Sequence, residues 1–283
     1  MIMEHLEQLK VEELASLLGL DSSALTELAQ KAPRLYREKK LAKKSGAVRI
    51  IEAPHDVLKK TQRLLLNKVL VGLPVDRMLH GGKGSSTIKA VSPHVRKAVV
   101  MTLDIRDFFP SVTSRMVRTM LRKRGASEDV ARLLTRIVTR KHHLPQGAPT
   151  SPCIARLVLH PVAGHVRRAL QSVGTAASAS IYVDDVTVSG PPGIDRLRNT
   201  IVNIIERHGF RVHPDKVKIM PTEEEQESLG IRLNNGIEPT PAFLTKLDET
   251  ELALGSAHPR VRGMHGYARS LRRAQSVLSK EGG

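Results

Sequence analysis

The chain has no tryptophan, three tyrosines and four phenylalanines, so aromatic residues make up 2% of its 283 positions. Any surface that stacks on nucleic-acid bases must rest on few rings or on arginine. There is one cysteine, Cys153, which excludes an internal disulfide framework and a cysteine-based zinc site. No apolar run approaches the roughly 18–20 residues of a membrane-crossing helix. The opening MIMEHLEQLK lacks the continuous apolar core of a signal peptide. A reducing, cytoplasmic location without a membrane partner is the resulting expectation. Acidic residues are scarce too: 28 Asp and Glu stand against 45 Lys and Arg, a net charge of +17. Such a balance implies a polyanionic partner, the alternative being a merely solvated, highly charged surface.

The length suits one large or two small domains with a sizeable core. Residues 4 to 40 read as helical, with leucines at helical spacing, Gly19 ending a first helix and Asp21, Ser22 or Ser23 capping a second. From Lys31 to Lys68, twelve basic residues face three acidic ones. Within that span KKSGAVRIIEAP reads as a turn at Ser45-Gly46 and a strand ended by Pro54, followed by a helix with a basic face. HGGKGSS is glycine-rich but lacks the ending and preceding strand of a phosphate-binding P-loop. A buried strand is expected over Ala98 to Ile105. Helical material follows over 114 to 140, interrupted near Gly125, and then a proline-bounded loop leading into an apolar helix. IYVDDVTVSG reads as strand, turn and strand, and ESLGIRLNNG as a further strand. The tail from about Ile237 is mostly helical and basic, with Arg260, Arg262, Arg269, Arg272 and Arg273. The elements mix without strict βαβ alternation, which argues for an α+β fold around an antiparallel sheet.

Three aspartates stand in costly places. Asp104 ends the apolar strand VVMTLD, and Asp184 and Asp185 adjoin one another inside a β-branched run. A lone carboxylate there is expensive unless it is paired or holds a metal. Alone, each reads as a cap or turn residue. Together they suggest a shared divalent-metal site, in which two magnesium ions roughly 3.5–4 Å apart clamp the attacking and leaving oxygens of a phosphoryl transfer.

YVDD, preceded by LPQGAPTSP and LDIRDFFPSV, resembles the palm motifs of reverse transcriptases. KKSGAVRIIEAP resembles their fingers segment, HPDKVKIM the lysine-bearing motif after the catalytic hairpin, and ESLGIRLN the primer-gripping hairpin. Order and spacing agree over about residues 30 to 235. The compact length and LPQGAPTSP are most similar to the bacterial retron type. LHGGKGSSTIKAVSPH departs from the retron Asn-Ala-x-x-His signature: Lys89 stands where Asn is expected, and three residues separate Ala90 from His94. Ser228-Leu229-Gly230 likewise stands where retron enzymes carry Val-Thr-Gly.

The resemblance implies roles for individual residues. Asp104, Asp184 and Asp185 are the expected ligands of two Mg²⁺ ions (Mn²⁺ as a substitute), joined by the Ile105 carbonyl, with Asp185 coordinating less directly. Phe109 matches the ring that excludes a 2′-hydroxyl, with a core phenylalanine as the alternative. Gln146 and Gly147 match the dNTP contacts, and Arg49 with Lys43 or Lys44 should meet the triphosphate. Lys216 is a candidate general acid at the departing pyrophosphate, with Lys218 its rival. Tyr182, by alternation on the face of Asp184, and Leu229 with Gly230 are expected at the primer. Arg262, Arg269, Arg272 and Arg273 should follow the template–primer backbone. His142 and His143 read as loop or RNA-facing residues.

The expected architecture is a right-hand polymerase. Residues 1–40 form an N-terminal helical segment, 41–97 and 114–144 the fingers, 98–113 and 145–236 the palm, and 237–283 a short helical thumb; too few residues follow the palm for an RNase H or endonuclease domain. The expected activity is RNA-directed DNA synthesis of retron type on a structured RNA, giving an RNA–DNA product, with a role in anti-phage defence and an effector protein as partner. The alternatives are a group II intron-like or other defence-associated reverse transcriptase, or a non-catalytic RNA-binding protein on the same fold. If Phe109 is the sugar gate, Phe109→Ala raises ribonucleotide incorporation relative to deoxynucleotides in a primer-extension assay; an unchanged preference rejects that role.

Overall fold

The computed structural model describes residues 6–7, 9–42, 48–82 and 84–281, with side chains to residue 277. In chain order the helices are α1 (Val11–Leu17), α2 (Ser22–Lys31), α3 (Asp56–Lys68), α4 (Thr87–Val91), α5 (Phe108–Ser111), α6 (Ser114–Lys123), α7 (Glu128–Val138), α8 (Ser151–Gln171), α9 (Arg198–Arg207), α10 (Pro241–Leu254) and α11 (Pro259–Glu281). The strands are β1 (Tyr36–Ala42), β2 (Val48–Pro54), β3 (Leu79–His80), β4 (Val99–Asp104), β5 (Ser178–Tyr182), β6 (Asp185–Gly190), β7 (Lys218–Pro221), β8 (Glu227–Ser228), β9 (Ile231–Arg232) and β10 (Glu238–Pro239). Contacts divide the chain into two units, Met1–Lys83 with Arg106–Val162, and Gly84–Ile105 with Ala163–Gly283.

The first unit is built on helices. α7 buries Val130, Ala131, Leu134, Ile137 and Val138, and α1, α2, α3 and α6 pack on it or on one another. Caps start these helices where the sequence offers an oxygen. Asp21 accepts from Ala24 N–H at 2.8 Å, Thr113 caps α6 and Ser127 caps α7. Gly19 follows α1 at φ +71° and Gly125 separates α6 from α7 at φ +89°, backbone that glycine adopts without strain. α3 buries Leu58 and Leu65 and turns its basic face outward, as its sequence predicts. The helical reading through residue 40 needs correction. Tyr36–Ala42 is strand β1, paired antiparallel with β2 from Tyr36↔Pro54 to Ala42↔Val48. Its charged residues favour helix locally, but the β-branched partner strand decides. Lys43, Lys44 and the expected Ser45-Gly46 turn lie outside the described residues.

The second unit carries an antiparallel sheet ordered β5-β6-β4-β7. β4 occupies an interior position, so its VVMTLD run buries Val100, Met101 and Leu103 almost completely. A small sheet, β10-β9-β8, adjoins it in the same core, where Val91, Val100, Met220, Ile231, Leu233 and Leu271 pack together. The residue pattern reads ESLGIRLNNG as one strand, but the chain forms a hairpin there, as the resemblance of ESLGIRLN implies. Leu229 at φ +53° and Gly230 at φ +73° make a tight left-handed turn between β8 and β9.

His94 is fully buried, and its ring reaches Ser189 Oγ at 2.7 Å and Ser180 Oγ at 2.9 Å. It therefore ties β5 to β6 from behind. His94→Leu leaves two buried hydroxyls without this partner and should cost about 2–5 kcal/mol. Urea denaturation measures the loss, and adding Ser180→Ala and Ser189→Ala should restore part of it. A wild-type midpoint for His94→Leu would refute the brace.

Candidate active site

β4 and β6 set the geometry of the acidic cluster. Their register pairs Leu103 with Val186 and then, at the strand end, Asp104 with Asp185. Directly opposed residues of antiparallel strands lie about 4.5–5.5 Å apart at Cβ and share a face. Val183 and Asp184 form the turn that joins β5 to β6, and Ile105 N–H donates to the Asp184 carbonyl at 2.9 Å. Asp104, Asp184 and Asp185 are thus gathered at one end of one sheet. The turn is strained: Val183, a β-branched residue, takes φ +60°, where hairpin turns favour glycine or asparagine.

The carboxylates repel. Burial first, then the charges of Asp184 and Asp104, push the Asp185 carboxyl up to about 6, against the opposing pull of Lys216. Lys216 Nζ donates to Asp104 Oδ2 at 2.9 Å, with the aspartate side chain 20% and the lysine 55% exposed. The Asp104 carbonyl accepts from His213 N–H at 2.8 Å, which brings the 213–216 turn to the strand end. Among the described residues, no group of three or more His, Cys, Asp or Glu side chains is closed around a metal-sized point. The donor set still fits a hard divalent cation: all oxygen, mutually repelling, and already holding one cation in the lysine ammonium.

A cavity of about 300 Å³ extends from this cluster. Asp104, Asp185, Thr187, Lys216, Ser228 and Leu229 are among its lining residues, and Lys218 borders it too. Thr187 and Ser228 hydroxyls, 2.7 Å apart, tie the β8–β9 hairpin to β6. Three of the expected catalytic residues, Asp104, Asp185 and Lys216, therefore line one space with the expected primer contact Leu229. Tyr182 is placed differently from the expectation. It pairs with Asp185 rather than sharing a face with Asp184, because the turn interrupts the two-residue alternation.

The expected nucleotide contacts belong to the first unit. Phe109 is half-buried in α5 beside the buried Phe108, their rings 5.5 Å apart. Arg49 is exposed on β2 opposite Leu41. Gln146 gives its carbonyl to Glu52 N–H at 2.6 Å. Gly147 has φ +122°, and a Cβ there would lie 3.0 Å from Ile51 Cγ2 and 3.2 Å from the Glu52 carbonyl oxygen. Lys44 is outside the described residues. His143 is not a free loop residue: its Nε2 contacts Glu52 Oε2 at 3.0 Å. Sequence reasoning passed over Glu52, whose only local signal is an acidic residue in the strongly basic span from Lys31 to Lys68.

In the second unit, Arg262, Arg269, Arg272 and Arg273 are exposed on α11. Arg262, Arg269 and Arg273, seven and eleven residues apart, recur on one helical face. A cavity of about 500 Å³ lies beside Arg262, His265 and Arg269.

A family model described as "Reverse transcriptase (RNA-dependent DNA polymerase)" matches residues 41–233, which span every element of the acidic cluster. The chain belongs to the reverse transcriptase family. Among curated relatives, retron Mx162 reverse transcriptase of Myxococcus xanthus is 30% identical over 290 residues, covering 90% of this chain and 59% of its own length. Retron Mx65 reverse transcriptase of the same organism is 31% identical over 252 residues, with 79% and 58% covered. Retron Ec86 reverse transcriptase of Escherichia coli is 27% identical over 187 residues, with 65% and 58% covered. The chain thus spans a little under three fifths of the length of these relatives. Among solved structures, a telomerase from Candida tropicalis in complex with a TWJ fragment of telomeric RNA superposes with TM-score 0.54 at 9% identity, covering 93% of this chain and 59% of its own. A Candida albicans telomerase gives 0.52 at 11%, with 87% and 56% covered. The fold is the right-hand polymerase fold that the motifs imply. Reverse transcriptases generally use divalent metal ions, in keeping with the oxygen donors gathered here. Among the described residues no helix is long and apolar enough to cross a membrane.

The close approach at Gly147 has a direct consequence. Gly147→Ala forces a left-handed alanine against β2 and should destabilise the chain by about 1–3 kcal/mol. A thermal or urea transition checks this, and an unshifted midpoint would contradict the packing.

Proposed function

We propose that the chain is an RNA-directed DNA polymerase of retron type that copies a structured RNA. The observation that carries this reading is the pairing of Asp104 with Asp185 beside Asp184 at the end of one sheet. Asp104, Asp184 and Asp185, with the Ile105 carbonyl, are the residues that would hold two magnesium ions. Bound there, the ions supply charge neutralisation at the attacking and leaving oxygens. The residues of the chain do the positioning. A primer 3′-hydroxyl, or the 2′-hydroxyl of a branching nucleotide, attacks the α-phosphate of a dNTP and pyrophosphate leaves. Lys216, freed from Asp104, reaches the departing pyrophosphate as the proton donor. Leu229, Gly230 and Tyr182 seat the primer end.

Arg49, with Lys44, holds the triphosphate, Gln146 and Gly147 contact the nucleotide, and Phe109 excludes the 2′-hydroxyl. In this reading the fingers comprise 41–97 and 114–144, the palm 98–113 and 145–236, and the thumb 237–283, with residues 1–40 as an N-terminal segment. The thumb arginines Arg262, Arg269, Arg272 and Arg273 bind the template–primer backbone, where phosphate contacts dominate affinity. An effector protein, a cytoplasmic setting and a role in anti-phage defence complete the proposal.

The retron assignment predicts one structured RNA, joined to its own DNA product, in the nucleic acid that co-purifies with the chain. Random-sequence DNA would remove that assignment. For the chemistry, Asp184→Asn with Asp185→Asn should reduce dNTP incorporation by at least about 100-fold while RNA affinity stays within about twofold. Undiminished synthesis by the double variant would remove the mechanism.

A further inference from the structure

Glu52 joins two features of the first unit that have no separate explanation. On the β1–β2 hairpin it lies directly opposite Glu38, a like-charge pair that destabilises a sheet unless something neutralises it. The neutralising groups come from residues 140–143. Arg140 Nη1 reaches Glu52 Oε1 at 2.7 Å and Glu38 Oε1 at 2.8 Å, Lys141 Nζ reaches Glu38 Oε1 at 2.7 Å, and His143 Nε2 reaches Glu52 Oε2 at 3.0 Å. The centre of this cluster is dry, with the Glu52 side chain 6% and the Arg140 side chain 12% exposed. Arg140 also lies over the Tyr36 ring, 5.5 Å from its centroid.

The segment that supplies these groups is strained. Arg140 and His143 exchange two backbone hydrogen bonds of 2.9 Å each. Between them Lys141 takes φ +46° and His142 φ +66°, in a two-residue turn that normally takes Asn-Gly. Two side-chain-bearing residues in left-handed backbone persist only when the surroundings over-determine them. Three residues beyond the turn, the Gln146 carbonyl receives the Glu52 N–H, and Gly147 lies against Ile51 and Glu52. One residue thus grips both ends of the segment, its start by the carboxylate and its end by the main chain.

We propose that Glu52 is a positioning residue, a latch that fixes the 140–147 segment so that Gln146 is presented to the incoming nucleotide. This rests on the polymerase reading and on the nucleotide role of Gln146. Nothing in the latch touches substrate, and Glu52 acts through Gln146. Glu52→Gln keeps the size and the main-chain bond but removes the charge that holds Arg140 and His143. The segment then loosens at its start, and Gln146 loses its fixed place.

The test uses the full chain on a fixed RNA template and DNA primer, with single-dNTP kinetics. Glu52→Gln should raise the dNTP KM roughly tenfold, the size expected of a misplaced binding group. Template–primer affinity should stay within about twofold. Gln146→Ala should raise KM similarly, and the double variant should be no worse than Gln146→Ala alone, since the two act in one path. A general structural role would instead lower kcat and active fraction at constant KM, and would add to Gln146→Ala. Should Glu52→Gln fail to fold, His143→Leu removes one of the two side chains that the Glu52 carboxylate holds and should raise KM by a smaller factor, while His143→Gln, which can still donate to Glu52, should stay near wild type. An unchanged KM in a folded Glu52→Gln or His143→Leu variant, with wild-type chain active, overturns the latch alone. No dNTP incorporation by the wild-type chain overturns the polymerase reading and the latch with it.

Discussion

The register of β4 against β6 is the constraint on which the rest depends. It sets Asp104 opposite Asp185, an arrangement that electrostatics opposes. Two carboxylates on one face of a sheet raise each other's energy, and partial burial makes the charged forms costlier still. The structure accommodates this by placing the pair at the strand end, below a run of buried valine, leucine and methionine that fixes the register regardless of the aspartates. A one-residue slip would exchange the faces of the whole run and move Leu103 to the half-exposed place of Thr102 or Asp104. Apolar packing therefore holds the two acids together, and a cation, here the Lys216 ammonium, relieves them.

Backbone strain marks particular turns in each unit. Val183 in the acidic turn, Leu229 in the hairpin beside the cavity, and Lys141 with His142 in the turn before Gln146 all take positive φ without being glycine. Each such residue costs of order 1–3 kcal/mol and needs support from its surroundings. That support can be named. β5 and β6 are braced behind the acidic turn by His94, the β8–β9 hairpin is tied by Thr187 to Ser228, and the 140–143 turn is held by Glu38 and Glu52. In each case a polar side chain from a neighbouring element over-determines a turn whose own sequence would not choose that conformation.

Much of this was legible in the sequence because apolar runs and carboxylates in strands are local signals. VVMTLD and IYVDDVTVSG announce β4, β5 and β6 and the cost of their aspartates. What was not legible depends on partners distant in the chain. YREKKLA looks helical until VRIIEAP pairs with it. By residue pattern alone ESLGIRLN reads as one strand, because leucine is an unexpected residue for a left-handed turn, and only its resemblance implied the hairpin. Glu52 is an ordinary charge until Arg140 and His143, 88 and 91 residues away, close on it. His94 could be read only as a departure from a motif; its burial between two serine hydroxyls depends on how α4 and the hairpin pack.

The net charge of +17 looks like one property but divides into two. Some cations are spent internally: Arg140 on Glu38 and Glu52, Arg118 and Arg122 on Glu128, Arg232 on Glu238. Others stand exposed on single faces, as on α3 and α11. Only the second kind can neutralise phosphates, release counterions and make binding salt-dependent. With aromatic residues at 2% of the chain, base stacking offers little further affinity. Phosphate contacts follow the shape of a nucleic acid and carry no sequence information directly.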